Sequence, residues 1–194
     1  DFNMSGVTFG ATSVNFQNFA YQSGVQNVNM SNITTAGRVY FESPFYGCGK
    51  LKTINFSNSH FKPSTTQNMF RSCSSLTSVD LSLWDVSQCT DMSDMFDSCG
   101  AITSINMSGW NTASVVDMGN MFRNTTSLQV LDVSNWDVSN VNSTTGSISY
   151  MFSNTRIKHL DLSSWKITDN IIYCTYMFLD NPNLEQIDLS NWLV

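Results

Sequence analysis

The chain has 194 residues, 41% apolar and only 12% charged, with a formal net charge of −6. That length is enough for one domain with a sizeable core. Nine Lys and Arg scattered among fifteen Asp and Glu leave no basic stripe to bind phosphate, which argues against a nucleic-acid partner. No apolar run reaches the ~18 residues that a transmembrane helix needs.

The chain opens at Asp1 without a Met or a signal peptide, so the expectation is a processed product or part of a longer protein, with any surface anchor outside it. Phe2-Asn3-Met4-Ser5-Gly6-Val7 reads as the tail of a motif that returns at Val25-x-x-Val28-Asn29-Met30-Ser31 and Leu51-x-x-Ile54-Asn55-Phe56-Ser57. From Leu76 the motif is clear, as Val79-Asp80-Leu81-Ser82-Leu83-Trp84 and then Asp91-Met92-x-x-Met95-Phe96. It recurs from Ile102, Leu128 and Ile157, with a partial copy from Leu184. The Phe residues of the Met-Phe pairs at Phe70, Phe96, Phe122, Phe152 and Phe178 are 26, 26, 30 and 26 residues apart. Phe45 lies 25 residues before Phe70, and Phe19 is placed in the same column. A fixed period of this size marks a solenoid. One solenoid domain over 1–194 is expected, with degenerate repeats in 1–44 and regular ones in 45–194.

Val79 and Leu81 alternate with Ser78, Asp80 and Ser82, so each front half reads as a strand, and the stacked copies as one parallel sheet. Asp91 stands where an N-cap is wanted, with Met92, Met95 and Phe96 at helical spacing after it, so each back half reads as a short helix. The expected fold class is therefore an α/β repeat solenoid, leucine-rich-repeat-like, with a parallel sheet on one face and short helices on the other. Trp136 to Phe152 spans four residues more than Trp110 to Phe122, which places an insertion in Asn140–Ser147.

The motif Leu-x-x-Val-Asp-Leu-Ser-x-Trp-Asp-Val-Ser, followed by Asp-Met-x-x-Met-Phe-x-x-Cys, resembles the 26-residue repeat of bacterial surface proteins. That repeat is the BspA-like branch of the leucine-rich repeats, once described as a domain of unknown function. The resemblance covers Phe45 to Trp192; before it, only spacing supports the repeat. It implies an extracellular, surface-attached protein that binds other proteins or host matrix, and it implies no catalytic residues.

The side-chain chemistry leaves several readings open. The five Cys occupy repeat positions expected to face inward, which suits free thiols acting as small hydrophobes. The alternative is a bridge such as Cys48–Cys73, for which parallel Cβ directions are poor. No zinc spacing is present. The Asn/Asp column that ends in Asp132, Asp161 and Asp188 reads as a hydrogen-bonded ladder, or as a binding surface. Calcium between Asp161 and Asp188 is a further alternative that no Asp-x-Asp-x-Asp loop supports. The Trp column reads as core rather than as a carbohydrate platform. No motif points to an enzyme, a metal or a cofactor.

The expected function is a non-enzymatic binding module for a protein or other cell-surface ligand. Its variable columns, Thr53, Ser78, Ser104, Val130, His159 and Gln186, with Leu83, Asn135, Ser164 and Asn191, would read the partner. Asp132, Asp161 and Asp188 complete the candidate site. Asn142, in the insertion, is the candidate glycosylation site. The alternative is a structural protein that self-associates head to tail through uncapped ends into an extracellular filament or array.

Overall fold

The computed structural model describes residues 1–141, 147–167 and 173–192. Among them are twelve short strands. The first coil contributes β1 (Phe2–Asn3), β2 (Thr8–Phe9) and β3 (Ser13–Asn15), and the second β4 (Asn27–Asn29), β5 (Thr34–Thr35) and β6 (Arg38–Tyr40). The third has β7 (Thr53–Asn55) and β8 (Pro63–Thr65). Later coils keep only the front strand: β9 (Ser78–Asp80), β10 (Ser104–Asn106), β11 (His159–Asp161) and β12 (Gln186–Asp188). Each pairs in parallel with the equivalent strand of a neighbouring coil, as in Val28↔Ile54, Ile105↔Val79 and Leu160↔Ile187. Front strands such as β7, β9 and β11 are short because each holds one inward apolar residue between two exposed polar ones, after which the coil turns a corner.

The expected helices are not there. Among the described residues there is no helix, and the fold is a β-solenoid rather than a leucine-rich-repeat-like α/β solenoid. Each back half is a ribbon of consecutive tight turns. The amides of Met92, Asp94, Phe96 and Ser98 donate along the stack to Asp117, Gly119, Met121 and Arg123 carbonyls, each at 2.9 Å. The amides between them close turns within the coil, as Asp97 does to Asp94 at 3.1 Å and Cys99 to Phe96 at 3.1 Å. Asp94 and Ser98 adopt φ of +57° and +63°, and Asn120 and Asn124 repeat this one coil on. A left-handed residue every fourth position interrupts an α-helix, and half the amides already serve the next coil. Met92, Met95 and Phe96 are all fully buried; three- and four-residue spacings are common to a helix face and to the inner side of paired turns.

The core is a set of columns running through the stack. Phe45, Phe70, Phe96, Phe122, Phe152 and Phe178 form a continuous aromatic stack with centroids 5.5–5.9 Å apart. Phe122 and Phe152 stack at 5.8 Å despite the longer spacing between them. Val141 and Ile148, on either side of the insertion, are both fully buried. Trp84, Trp110, Trp136 and Trp165 lie in the core, none more than 5% exposed.

Three local expectations are also corrected. Phe19 does not sit in the Phe column: Ala20 donates to Pro44 as Phe45 does to Met69, which puts Ala20 in that column and Phe19 over Pro44. Cys174 is exposed, whereas Cys48, Cys73, Cys89 and Cys99 are buried, because no later coil of this chain lies over it. The front sheet is not continuous; it comprises β1-β4-β7, β9-β10 and β11-β12.

All five cysteines are free. Cys73 and Cys99 donate their thiols to the Phe45 and Phe70 carbonyls at 3.1 and 3.0 Å, which leaves the Cys48–Cys73 bridge unmade. Burial pushes the Cys89 thiol up to about 12. Native protein at pH 8 should therefore expose one fast-reacting thiol, Cys174, and denatured protein five; two or more fast thiols in the native protein would refute this packing. Asn120, whose φ is +57°, provides a second check. Asn120→Ala should cost roughly 1–2 kcal/mol and Asn120→Gly much less, because Ala keeps the Cβ that disfavours this conformation but loses the amide that tolerates it, whereas Gly has no Cβ. Chemical denaturation of both variants measures the difference.

Candidate functional site

The front face is built by one device repeated in every coil. At the exit of each front strand an Asn or Asp accepts the amide two residues on. Asn3, Asn29, Asn55, Asp80, Asn106, Asp132, Asp161 and Asp188 do so to Ser5, Ser31, Ser57, Ser82, Ser108, Ser134, Ser163 and Ser190, at 2.9–3.2 Å. This is an Asx-turn, which turns the chain inward after each strand. The column is thus first a row of local turn-formers, and at Asp80 the Ser82 bonds are joined by one from Asn106 of the next coil, which helps hold that carboxyl below its ordinary range. The same device appears at other corners, with Asp85 accepting Ser87 and Asp91 accepting Ser93.

On this scaffold the variable side chains project outward. Ser78 and Ser104 lie in register on β9 and β10, as His159 and Gln186 do on β11 and β12. Asp161 and Asp188 are also in register. Val130 is 80% exposed, and its segment forms no strand. Its coil is tied to the following one by Arg156 donating to the Leu128 carbonyl and by the Trp165 indole donating to Val133. No ladder pairs Val130 with His159 among the described residues. His159 Nε2 lies 3.8 Å from Glu185, which also faces Lys158 at 3.7 Å; all three are exposed, so these pairs contribute little. Asn142 lies outside the described residues. Among the described residues, no group of three or more His, Cys, Asp and Glu converges on one point.

Sequence reasoning missed two features. On the back ribbon Arg71 reaches Asp94 and Asp97 at 3.3 and 3.2 Å and lies 5.7 Å from the Tyr46 ring, while Arg123 lies 5.3 Å from Tyr150. The only signal was Arg following Phe at Phe70-Arg71 and Phe122-Arg123. The second feature is a pair of corner clefts. One is lined by Asn55, Ser57, Asn58, Asp80, Leu83 and Trp84, the other by Ser108, Gly109, Asp132, Asn135 and Trp136.

The carboxylates divide into two classes. Hydrogen bonds from Ser134 hold Asp132 below its ordinary range, and those from Ser163 do the same for Asp161. Burial raises Asp91 and Asp94, outweighing the Ser93 bonds to one and Arg71 beside the other. A lowered carboxyl adds stability above its unfolded value and loses it as pH falls through the folded one; a raised carboxyl does the opposite. Asp91→Asn keeps the acceptor for Ser93 and removes a partly buried charge. It should raise the melting temperature at pH 7, and the gain should vanish below the ordinary carboxyl value of 3.8. Thermal melts at the two pH values test this; an equal gain at both would refute the charge argument.

Comparison with curated proteins finds no match. A family model matches residues 3–102 and again 64–192. The two matches overlap, as expected when a repeat model can be laid along a solenoid in more than one phase. Together they span nearly the whole chain, which therefore belongs to the family described as Mycoplasma protein of unknown function, DUF285.

Proposed function

We propose that this repeat solenoid is a non-enzymatic binding module of a BspA-like surface protein, outside the cell, that recognises a protein or other cell-surface ligand through its front face. One observation carries the reading. A scaffold column is chemically constant from coil to coil, Asx-turn after Asx-turn, while the exposed column beside it changes from Thr53 through Ser78, Ser104 and Val130 to His159 and Gln186. A uniform frame carrying a varied outer column is what an extended recognition surface requires. Val130 stands out, as an aliphatic side chain left 80% exposed in an otherwise polar column. Asp132, Asp161 and Asp188 would add negative charge to the same surface.

The second reading is head-to-tail assembly of copies. Phe19 is 41% exposed at one end, and Tyr176 and Leu179 are 56% and 41% exposed at the other. Light scattering across a wide concentration range tests it: growing or filamentous species support it, and a clean monomer refutes it.

For the first reading, the double variant Val130→Ser, His159→Ser should keep the melting temperature and lose most capture of surface-extract proteins that the unaltered chain retains. Undiminished capture by the variant would remove this part of the face from the reading.

A further inference from the structure

The front corner has a recurrent lock between coils. The indoles of Trp110, Trp165 and Trp192 donate back to the Leu81, Val133 and Leu162 carbonyls, each at 3.0 Å. The residue before Trp adds a second bond: Ser164 donates to the Ser134 carbonyl, and Asn191 to Ser163 at 2.9 Å. At two junctions the lock is undone. The Trp84 indole N–H is buried without any partner, and among the described residues no bond joins Trp136 to Met107 or Asn135 to Ser108. At these same junctions the front sheet is interrupted, after β7 and after β10, and the two corner clefts open, with volumes of about 470 and 310 Å³.

The clefts use equivalent repeat positions for their carboxylate and their Trp, but they draw their amide from different ones, Asn58 standing where the second cleft has Gly109 and Asn135 where the first has Leu83. Each has one carboxylate on its rim, Asp80 or Asp132, and no cation among its lining residues. The first adds the Ser57 and Ser82 hydroxyls and the Asn58 amide, the second the Ser108 hydroxyl and the Asn135 amide, each around a Trp floor. The missing cation disfavours phosphate or an anionic sugar. Convergent donors and acceptors over an apolar floor suit a ring that carries several hydroxyls. Equivalent points of the clefts lie two coil steps apart, roughly 10 Å along the stack, about the length of two linked pyranose rings.

We propose that the two clefts are paired subsites for a neutral, β-linked oligosaccharide. Ring hydroxyls donate to Asp80 and Asp132 and accept from the Asn135 amide, and an acceptor held in the first cleft, a hydroxyl or a water beneath it, answers the unpartnered Trp84 N–H. This deepens the surface-binding reading and rests on it, naming a ligand class for corners beside the varied column.

The test is calorimetric titration of the full chain with cellotetraose and tetra-N-acetylchitotetraose, with the matching disaccharides and maltotetraose as controls. A β-linked tetrasaccharide should bind at least about ten-fold more tightly than its disaccharide, since the second subsite is filled intramolecularly, and more tightly than maltotetraose. Asn135→Ala should bring the tetrasaccharide down to the disaccharide's affinity at an unchanged melting temperature. Leu83→Arg, which crowds the first cleft from an exposed position, should do the same and keeps the test independent of one variant's folding. No binding of either β-linked probe at millimolar concentration, or binding that both variants retain, would overturn the proposal. Absence of sugar binding by the unaltered chain, with its surface-protein capture intact, would overturn the clefts alone, and undiminished capture by the Val130/His159 variant, with sugar binding intact, would remove the face alone.

Discussion

The structure depends on backbone amides that point along the stack rather than along the chain. In the back ribbon alternate N–H groups cross to the next coil, and in the front strands the parallel ladder does the same. Each coil therefore satisfies its backbone only through its neighbours, and no coil can close its hydrogen bonds alone. The columns of the core follow from this. Once coils are held one strand spacing apart, like residues lie over like residues. Phe stacks on Phe at 5.5–5.9 Å, and thiols reach the carbonyl of the preceding coil. The period is strict because slipping by one residue would turn an inward Phe toward solvent.

The same constraint explains the polar composition. Tight turns need residues that tolerate left-handed φ or bond their own backbone, and Asn, Asp and Ser do both. Asn18, Asn68, Asp94 and Asn120 hold one left-handed position through successive coils, and Ser72, Ser98, Asn124 and Asn154 hold another. Tyr150 and Tyr176 take the first of these positions at φ of +56°. There the cost of a bulky side chain is offset by their 5.0 Å ring contact and by Arg123 against Tyr150. A chain with so few charges thus has ample polarity, but most of it is used in turning corners.

Function enters where the repeat relaxes. The constant columns are structural, so under the proposed binding reading recognition would fall to positions that the coil geometry leaves free: the outer strand residues and the corners where the inter-coil lock is absent. The interruptions of the front sheet are therefore more than irregularities. At the junction after β7 the Trp84 indole donor is left unengaged, and at the one after β10 no bond joins the Asn135 amide to Ser108, where other coils use the equivalent groups internally.

By itself the sequence determined the period, the inward Phe, Met and Trp columns, the front strands and the exposed varied column, because those depend on which residues recur and on alternation along a short segment. It misled on the back half, since Met92, Met95 and Phe96 fit a helix face as well as the inner side of two turns; the choice rests on whether the Phe96 amide bonds within its own segment or to Met121 in the next coil. It also misplaced Phe19 by one position and turned Cys174 inward, because both depend on which coil lies above. The corner clefts were illegible for the same reason. Asn135 and Asn191 hold the same repeat position, yet Asn191 bonds the Ser163 carbonyl of the preceding coil and Asn135 makes no such bond to Ser108, a difference that residue type cannot show. Local chemistry along the chain was written in the residues, whereas the spacing between coils, set by all of the stacked contacts together, was decided only in the assembled solenoid.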